Sequence, residues 1–317
     1  MNALSLEDIG MFLCSFTNRP SGVTPAHVKE ALAAHKSQTL AKNDEATAKF
    51  IWCLEGVLSI QELYLAAFAE MQMDQFYAAW CTLDRLDVTM GFLRKHFNAD
   101  TKDEFSIKKV NSLTGKFQAL FPYRIFFSTE FVEKEKICNI CERKVTIRHP
   151  CGHTPGEIYR GQLCVRIVTG VDLIGISMVE TPRHKYAVPF IAGDKPGQRT
   201  DHYDYSVLRY VAKRLRNPLD DWSFRQTTKR IPHENFGAEP GAPCPCGSGK
   251  TYEKCCLPET GVLMPHYDIY FASPIRGDLP MQELHLDRSV ASKTFADKAG
   301  SGQSKSPCCS TDHLESI

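Results

Sequence analysis

Apolar residues recur at three- and four-residue spacing through the first third of the chain, as at Leu54, Val57 and Leu58 and again at Phe76, Tyr77, Trp80 and Leu83. That period places them on one face of a helix. Upstream, "TPAHVKEALAAHK" offers Thr24 as an N-cap and Pro25 at the first helical position, which marks a helix start. The spacing therefore predicts a helical bundle over residues 1–119. Cys14, Cys53 and Cys81 fall within this pattern, the latter two beside Trp52 and Trp80, and are expected in the core, where a thiol behaves as a small hydrophobe.

The pattern changes at "LFPYRIFFSTEFVEKEKIC", where Pro122 stops the helical period and β-branched and aromatic residues become frequent. "GQLCVRIVTG", "LIGISMVE" and "KYAVPFIA" read as short strands separated by Gly, Asp or Pro, so residues 120–192 are expected to form a compact β-rich module. Residues 193–240 read as a linker, "GDKPGQRT", followed by a helix with Val207, Leu208, Val211 and Leu215 on one side and Arg209, Lys213, Arg214 and Arg216 elsewhere. A short cysteine-rich module at 241–260 and an extension at 261–317 complete the chain, with disorder expected from about residue 290 on its polar, small-residue composition. The class is α+β.

Composition narrows the functions. The 317 residues are 43% hydrophobic and 24% charged, with a formal net charge of +1, so no global field points to a polyanion or an acidic membrane. Glu55, Glu62, Glu70, Asp74 and Asp84 interrupt the apolar stretch 50–93, and no membrane span is expected. The start, "MNALSLEDIGMFLCSF", is acidic where a secretory signal is basic, which suggests a cytoplasmic protein. Nine of the 13 cysteines cluster, at 138/141/151, at 244/246/255/256 and at 308/309, while Cys14, Cys53, Cys81 and Cys164 stand alone. Tight groups without an export signal favour metal binding over disulfides.

The first group lies in "CNICERKVTIRHPCGH". A Cys-x-x-Cys turn converges two thiolates on one ion, and a nearby Cys-x-His can complete a tetrahedral zinc site. Cys138, Cys141, Cys151 and His153 are the candidate ligands; His149 and Cys164 are near enough in sequence to replace one of the last two. Lys134, Lys136, Arg143 and Lys144 are expected to offset the thiolate charge. A redox role for the pair needs a βαβ setting that is not apparent. "LFPYRIFFSTEF", "CNIC", "CGH", "GEIYRGQLC" and "GISMVETPRHKYAV" together resemble a zinc-knuckle segment of bacterial and phage-related proteins, which implies a structural module.

The second group lies in "CPCGSGKTYEKCC". "GSGKT" suggests a phosphate-binding loop, but such a loop needs glycine five positions before the glycine of Gly-Lys. That position is Cys244, no apolar strand precedes it, and nucleotide binding is not expected. "PCPCGSGKTYEKCC" resembles the SEC-C motif, the zinc-binding module found at the end of the SecA translocation ATPase and in many otherwise unrelated proteins. The resemblance implies that Cys244, Cys246 and Cys255 bind zinc, with Cys256 in the position taken by histidine or cysteine. Four thiolates suit a closed zinc site. Gly247 and Gly249 would let the backbone turn around the ion, and Lys250 and Lys254 would moderate its charge. The segment itself is too polar to bury four cysteines in an apolar core of its own.

Two structural Zn2+ sites in a protein-interaction or adaptor module is the function these features favour. In SecA-like proteins the motif contacts a chaperone, which implies a docking role. Nucleic-acid binding through the zinc modules and the basic run 209–216 is the alternative. Cys164, His184 and the Asp201/His202/Asp204 group are the residues an enzyme would recruit, but their spacing forms no recognised nucleophile and base pair, and no catalysis is expected.

Overall fold

The computed structural model describes residues 4–97, 103–193, 195 and 197–276; Cys308, Cys309 and the tail expected to be disordered lie outside the described residues. Five helices open the chain: α1 Leu6–Cys14, α2 Pro25–Ala41, α3 Glu45–Gln72, α4 Phe76–Leu93 and α5 Ile107–Leu120. Thr24 starts α2 as its sequence implies. Its hydroxyl accepts the His27 N–H at 3.3 Å, while the His27 ring accepts the Thr24 N–H at the same distance, so two orphan donors are satisfied reciprocally.

The long helix α3 is the spine of the core, burying Ile51, Leu54, Val57, Leu58, Ile60, Tyr64, Ala67, Phe68 and Met71. By length and composition it could cross a membrane, despite the acidic interruptions, but half of its most apolar window is buried inside the protein. Gln61, fully buried on α3, donates to the carbonyls of Leu13 and Phe105 at 2.9 and 3.1 Å and accepts from Arg19 at 3.0 Å. A buried amide so satisfied ties the ends of α1 and α5 to the spine. Cys53 is buried and Cys81 half-buried, but Cys14 is exposed. The stripe of α1 that reaches the core is Ile9, Phe12 and Leu13, and Cys14 lies off it.

Beyond the bundle come strands β1 Phe126–Cys138, β2 Ile158–Tyr159, β3 Gln162–Leu163, β4 Arg166–Val179, β5 Ile191–Ala192 and β6 Arg199–Thr200, then helix α6 Ser206–Arg214 and strands β7 Trp222–Ile231 and β8 Val262–Phe271. The segments read as separate short strands around Gly170 and Gly175 are one continuous strand, β4, paired antiparallel with β1 along its whole length. Register shifts absorb the irregularity near both glycines, as bulges do without ending a ladder. "KYAVPFIA" contributes only β5; Pro189 interrupts it, and its carbonyl accepts the Tyr203 hydroxyl instead.

The stretch read as linker and basic helix packs into the helical core. Leu208, Val211 and Ala212 of α6 are buried there with Trp222 of β7. Gln72 donates to the Ala212 carbonyl at 2.5 Å and Tyr64 to the Pro218 carbonyl at 2.6 Å. β7 pairs antiparallel with β8, from Trp222 opposite Phe271 to Ile231 opposite Val262. Two ribbons therefore leave one helical body, and each opens at its far end into a cysteine-rich excursion, 139–165 between β1 and β4 and 232–261 between β7 and β8.

Candidate metal centres

Where β7 ends, residues 242–252 form a miniature hairpin. Cys244 N–H donates to the Lys250 carbonyl at 2.8 Å, Tyr252 N–H to Ala242 at 2.8 Å, and Gly247 N–H closes back on Cys244 at 3.0 Å. Gly247 and Gly249 both sit at φ +76°, a region that side-chain-bearing residues avoid. A single helical turn, Tyr252–Lys254, then brings the last two cysteines round. The sulfurs of Cys244, Cys246, Cys255 and Cys256 all lie within 4.8 Å of one another, with Cys246–Cys255 at 3.5 Å and Cys255–Cys256 at 3.9 Å. Two thiolates on one tetrahedral zinc with bonds of about 2.3 Å stand about 3.8 Å apart, so the spacing fits one ion.

Residues 242–258 match the SEC-C motif family. No curated protein and no solved structure matches the chain. The SEC-C segment shares a small apolar core with the ribbon, which supplies three of its six buried side chains. Ile231, Val262 and Met264 from the strand ends are buried with Tyr252, Cys244 and Cys256. Tyr252 carries no cysteine-like signal in the sequence, yet it fastens the unit. Its hydroxyl lies 2.5 Å from Nδ1 of His233, whose Nε2 contacts the Glu259 carbonyl at 2.8 Å. Lys250 and Lys254 are exposed.

The thiols differ in their surroundings. Burial pushes Cys244 up to about 12. Burial also raises Cys246, but hydrogen bonds from Ser248 and Cys244 outweigh it and bring the group down to about 6. Four sulfurs this close cannot all ionise without a cation between them, and a divalent ion removes that repulsion while satisfying every sulfur. With all four positions taken by protein, such a site is structural; it leaves none for water or substrate.

Gly261, where the SEC-C excursion re-enters β8, has no room for a side chain, since a Cβ there would meet the Ile231 carbonyl oxygen at 2.5 Å. Gly261→Ala should therefore force the strand ends apart at a cost of about 1–3 kcal/mol. Thermal unfolding followed by intrinsic fluorescence checks it: an unchanged midpoint would mean the backbone yields freely.

The central cluster is assembled differently. Cys138 is the last residue of β1 and fully buried. Cys141 follows in a tight turn, with the Glu142 N–H on the Cys138 carbonyl at 2.7 Å. The ligand atoms of Cys138, Cys141, Cys151 and His153 lie within 4.8 Å of one another, and His153 Nδ1 is 3.9 Å from the sulfurs of both Cys138 and Cys151. Burial raises the Cys138 thiol, but N–H groups of Cys141 and Ile140 outweigh it and bring it to about 6. This set, three thiols and an imidazole, also suits a closed zinc site.

Of the two possible replacements, His149 sits in an exposed turn, bonded through its backbone to Thr146. Cys164 is fully buried with its sulfur 3.9 Å from that of Cys138. Asn139, which no spacing rule singles out, makes this approach possible: it donates to the Leu163 carbonyl at 2.9 Å and accepts the Val165 N–H at 2.8 Å. Three of the four cations expected around the cluster are otherwise engaged, Lys134 with Asp172, Lys136 with Glu133 and Lys144 with Glu135. Arg166 faces the sulfurs instead, donating to Cys164 at 3.4 Å and to the His153 carbonyl. The excursion is also pinned to the bundle, with His96 Nε2 at 2.7 Å from the Gly156 carbonyl and the Arg160 N–H on Glu45 at 2.9 Å.

The residues an enzyme would recruit mostly have local partners, although His202 Nδ1 is buried without a hydrogen-bond partner among the described residues. Asp201 accepts the Tyr205 hydroxyl at 2.7 Å and the Tyr203 N–H at 3.0 Å, Asp204 accepts from Ser206 at the start of α6, and the His184 and His202 rings lie against Tyr186 and Tyr203. Cys164 belongs to the central cluster.

Proposed function

We propose that this chain is a non-catalytic adaptor in which two structural zinc ions build the tips of two β-ribbons, and that the SEC-C tip docks on a protein partner. The observation that carries the reading is the closed, four-sulfur geometry of the SEC-C cluster, which spends the metal on shape. Around it, exposed Lys250, Lys254 and Leu257 supply mixed cationic and apolar chemistry suited to a protein surface. In the alternative, nucleic-acid binding, the basic run would have to be free. Arg209 instead pairs with Asp74 at 2.9 Å and Lys213 with the same carboxylate at 3.2 Å, Arg214 is buried, and Arg216 donates to the Ile275 carbonyl. These contacts favour the adaptor reading.

Immobilised full-length chain with zinc bound should capture a protein from a cell extract. Combining Lys250→Glu, Lys254→Glu and Leu257→Asp, with zinc content unchanged, should reduce that capture at least about tenfold, as loss of central interface contacts does. Capture that survives the substitutions, or that vanishes on nuclease treatment, would refute the docking surface.

A further inference from the structure

We propose that the β1–β4 ribbon is a homodimerisation arm, joining two copies of this chain through one apolar face. The proposal does not rest on either metal. Successive rungs of a ribbon alternate between its faces. Phe127 opposite Met178, Thr129 opposite Ile176, Phe131 opposite Leu173 and Glu133 opposite Val171 share one face; Ser128 opposite Ser177, Glu130 opposite Gly175 and Val132 opposite Asp172 share the other. Apart from Val132, the second face is polar: Ser177 donates to Glu130 at 2.8 Å and Lys134 pairs with Asp172. The first is a stripe of large apolar side chains, continued by Ile174 at the register shift, each between 38% and 67% exposed.

Such a stripe is not the fraying of a loose hairpin. At its base Phe126 is buried and stacks with Trp80 at 6.1 Å, and at its tip Cys138 is fully buried. The ribbon is held at both ends and presents its apolar middle. A two-stranded ribbon with an uncovered apolar face is marginal in water, so covering it is favourable.

A second copy is the occupant that the surface itself specifies. The face carries one carboxylate, Glu133, at its distal end, and Lys136 already pairs with it at 3.1 Å, so there is little unpaired charge for a different partner to complement. An apolar stripe is complementary to itself under a two-fold axis, which is the commonest oligomer symmetry. Seven side chains with these exposures offer on the order of 600–700 Å², more than the roughly 300–600 Å² largest patch of a typical monomer. They approach the roughly 800 Å² each partner gives to a standard interface. Acidic side chains on the opposite face, Glu130 and Asp172, disfavour an anionic membrane, and an extended peptide would pair along an edge and leave the stripe bare.

Sedimentation velocity on the full zinc-loaded chain over about 1–100 μM, concentrations at and above the weak end of the μM-to-pM range for standard interfaces, tests the proposal. The expected result is a monomer–dimer equilibrium whose Kd rises at least tenfold in Leu173→Asp and in Ile176→Asp, and is unchanged in Ser177→Asp on the opposite face. Circular dichroism checks that the variants fold. Concentration-dependent protection of the β1 and β4 amides in the unaltered protein gives a readout without substitution. A monomer throughout that range, a dimer indifferent to Leu173→Asp, or a monomer that covers the stripe only with another protein or with vesicles would overturn it.

Discussion

Cys246→Ser should unfold residues 232–261 and leave the helical body intact. Without a metal, the apolar contribution to that unit is chiefly Ile231, Tyr252, Val262 and Met264, with Phe236 and Ala238 partly buried against them, each full burial worth about 1.5–3 kcal/mol. Ordering the excursion costs conformational entropy that so few apolar groups do not offset. Structural zinc in small units supplies about 10–16 kcal/mol, and three sulfurs with a serine do not reproduce that binding. The helical core shares none of the four residues, so its unfolding should be nearly unchanged. Hydrogen exchange followed peptide by peptide distinguishes the outcomes: the 232–261 amides should lose protection while those of α3 and α4 keep theirs. Full protection of the SEC-C tip in the variant would show that the metal is dispensable for its shape.

Trp80→Ala should cost about 3–5 kcal/mol of global stability, the range for removing a large buried aromatic. The indole sits at a junction. Its ring meets Phe121 at 4.9 Å, Tyr123 at 5.0 Å and Phe126 at 6.1 Å, and its N–H donates to the Lys185 carbonyl at 2.6 Å. Truncation leaves a cavity where α4, the end of α5 and the base of the first ribbon meet, and removes the donor from a part-buried carbonyl. Urea unfolding measures the loss. A change below about 1 kcal/mol would mean that the neighbouring rings collapse into the space and that the junction is not fixed by packing.

The helical half was legible because its information is local: a 3.6-residue period, Thr24 before Pro25, and aromatic residues at three and four spacings. The two groups of candidate metal donors were legible for the same reason, since each set recurs within about twenty residues at spacings that suit zinc. The second ribbon was not. Trp222 pairs with Phe271, a partner far along the chain, and "WSFRQTTKRI" is too polar to announce a strand when the helical core covers only one end of it. The merging of two short apolar segments into β4 was hidden by Gly170 and Gly175, which look like breaks and act as bulge sites. Cys164, Asn139 and Arg166 meet the central cluster only because β1 and β4 close the loop between them. Residue spacing carries no such contact. Cys14 was misplaced for a simpler reason: a period identifies a face, and a residue one step round the helix from that face is outside the core.

Metal analysis of the purified full-length chain, alongside Cys141→Ser and Cys246→Ser, tests the central claim most directly. Two zinc ions per chain, falling to one in each variant, is the predicted result. One zinc in all three proteins, or no bound metal in the unaltered chain, would contradict it.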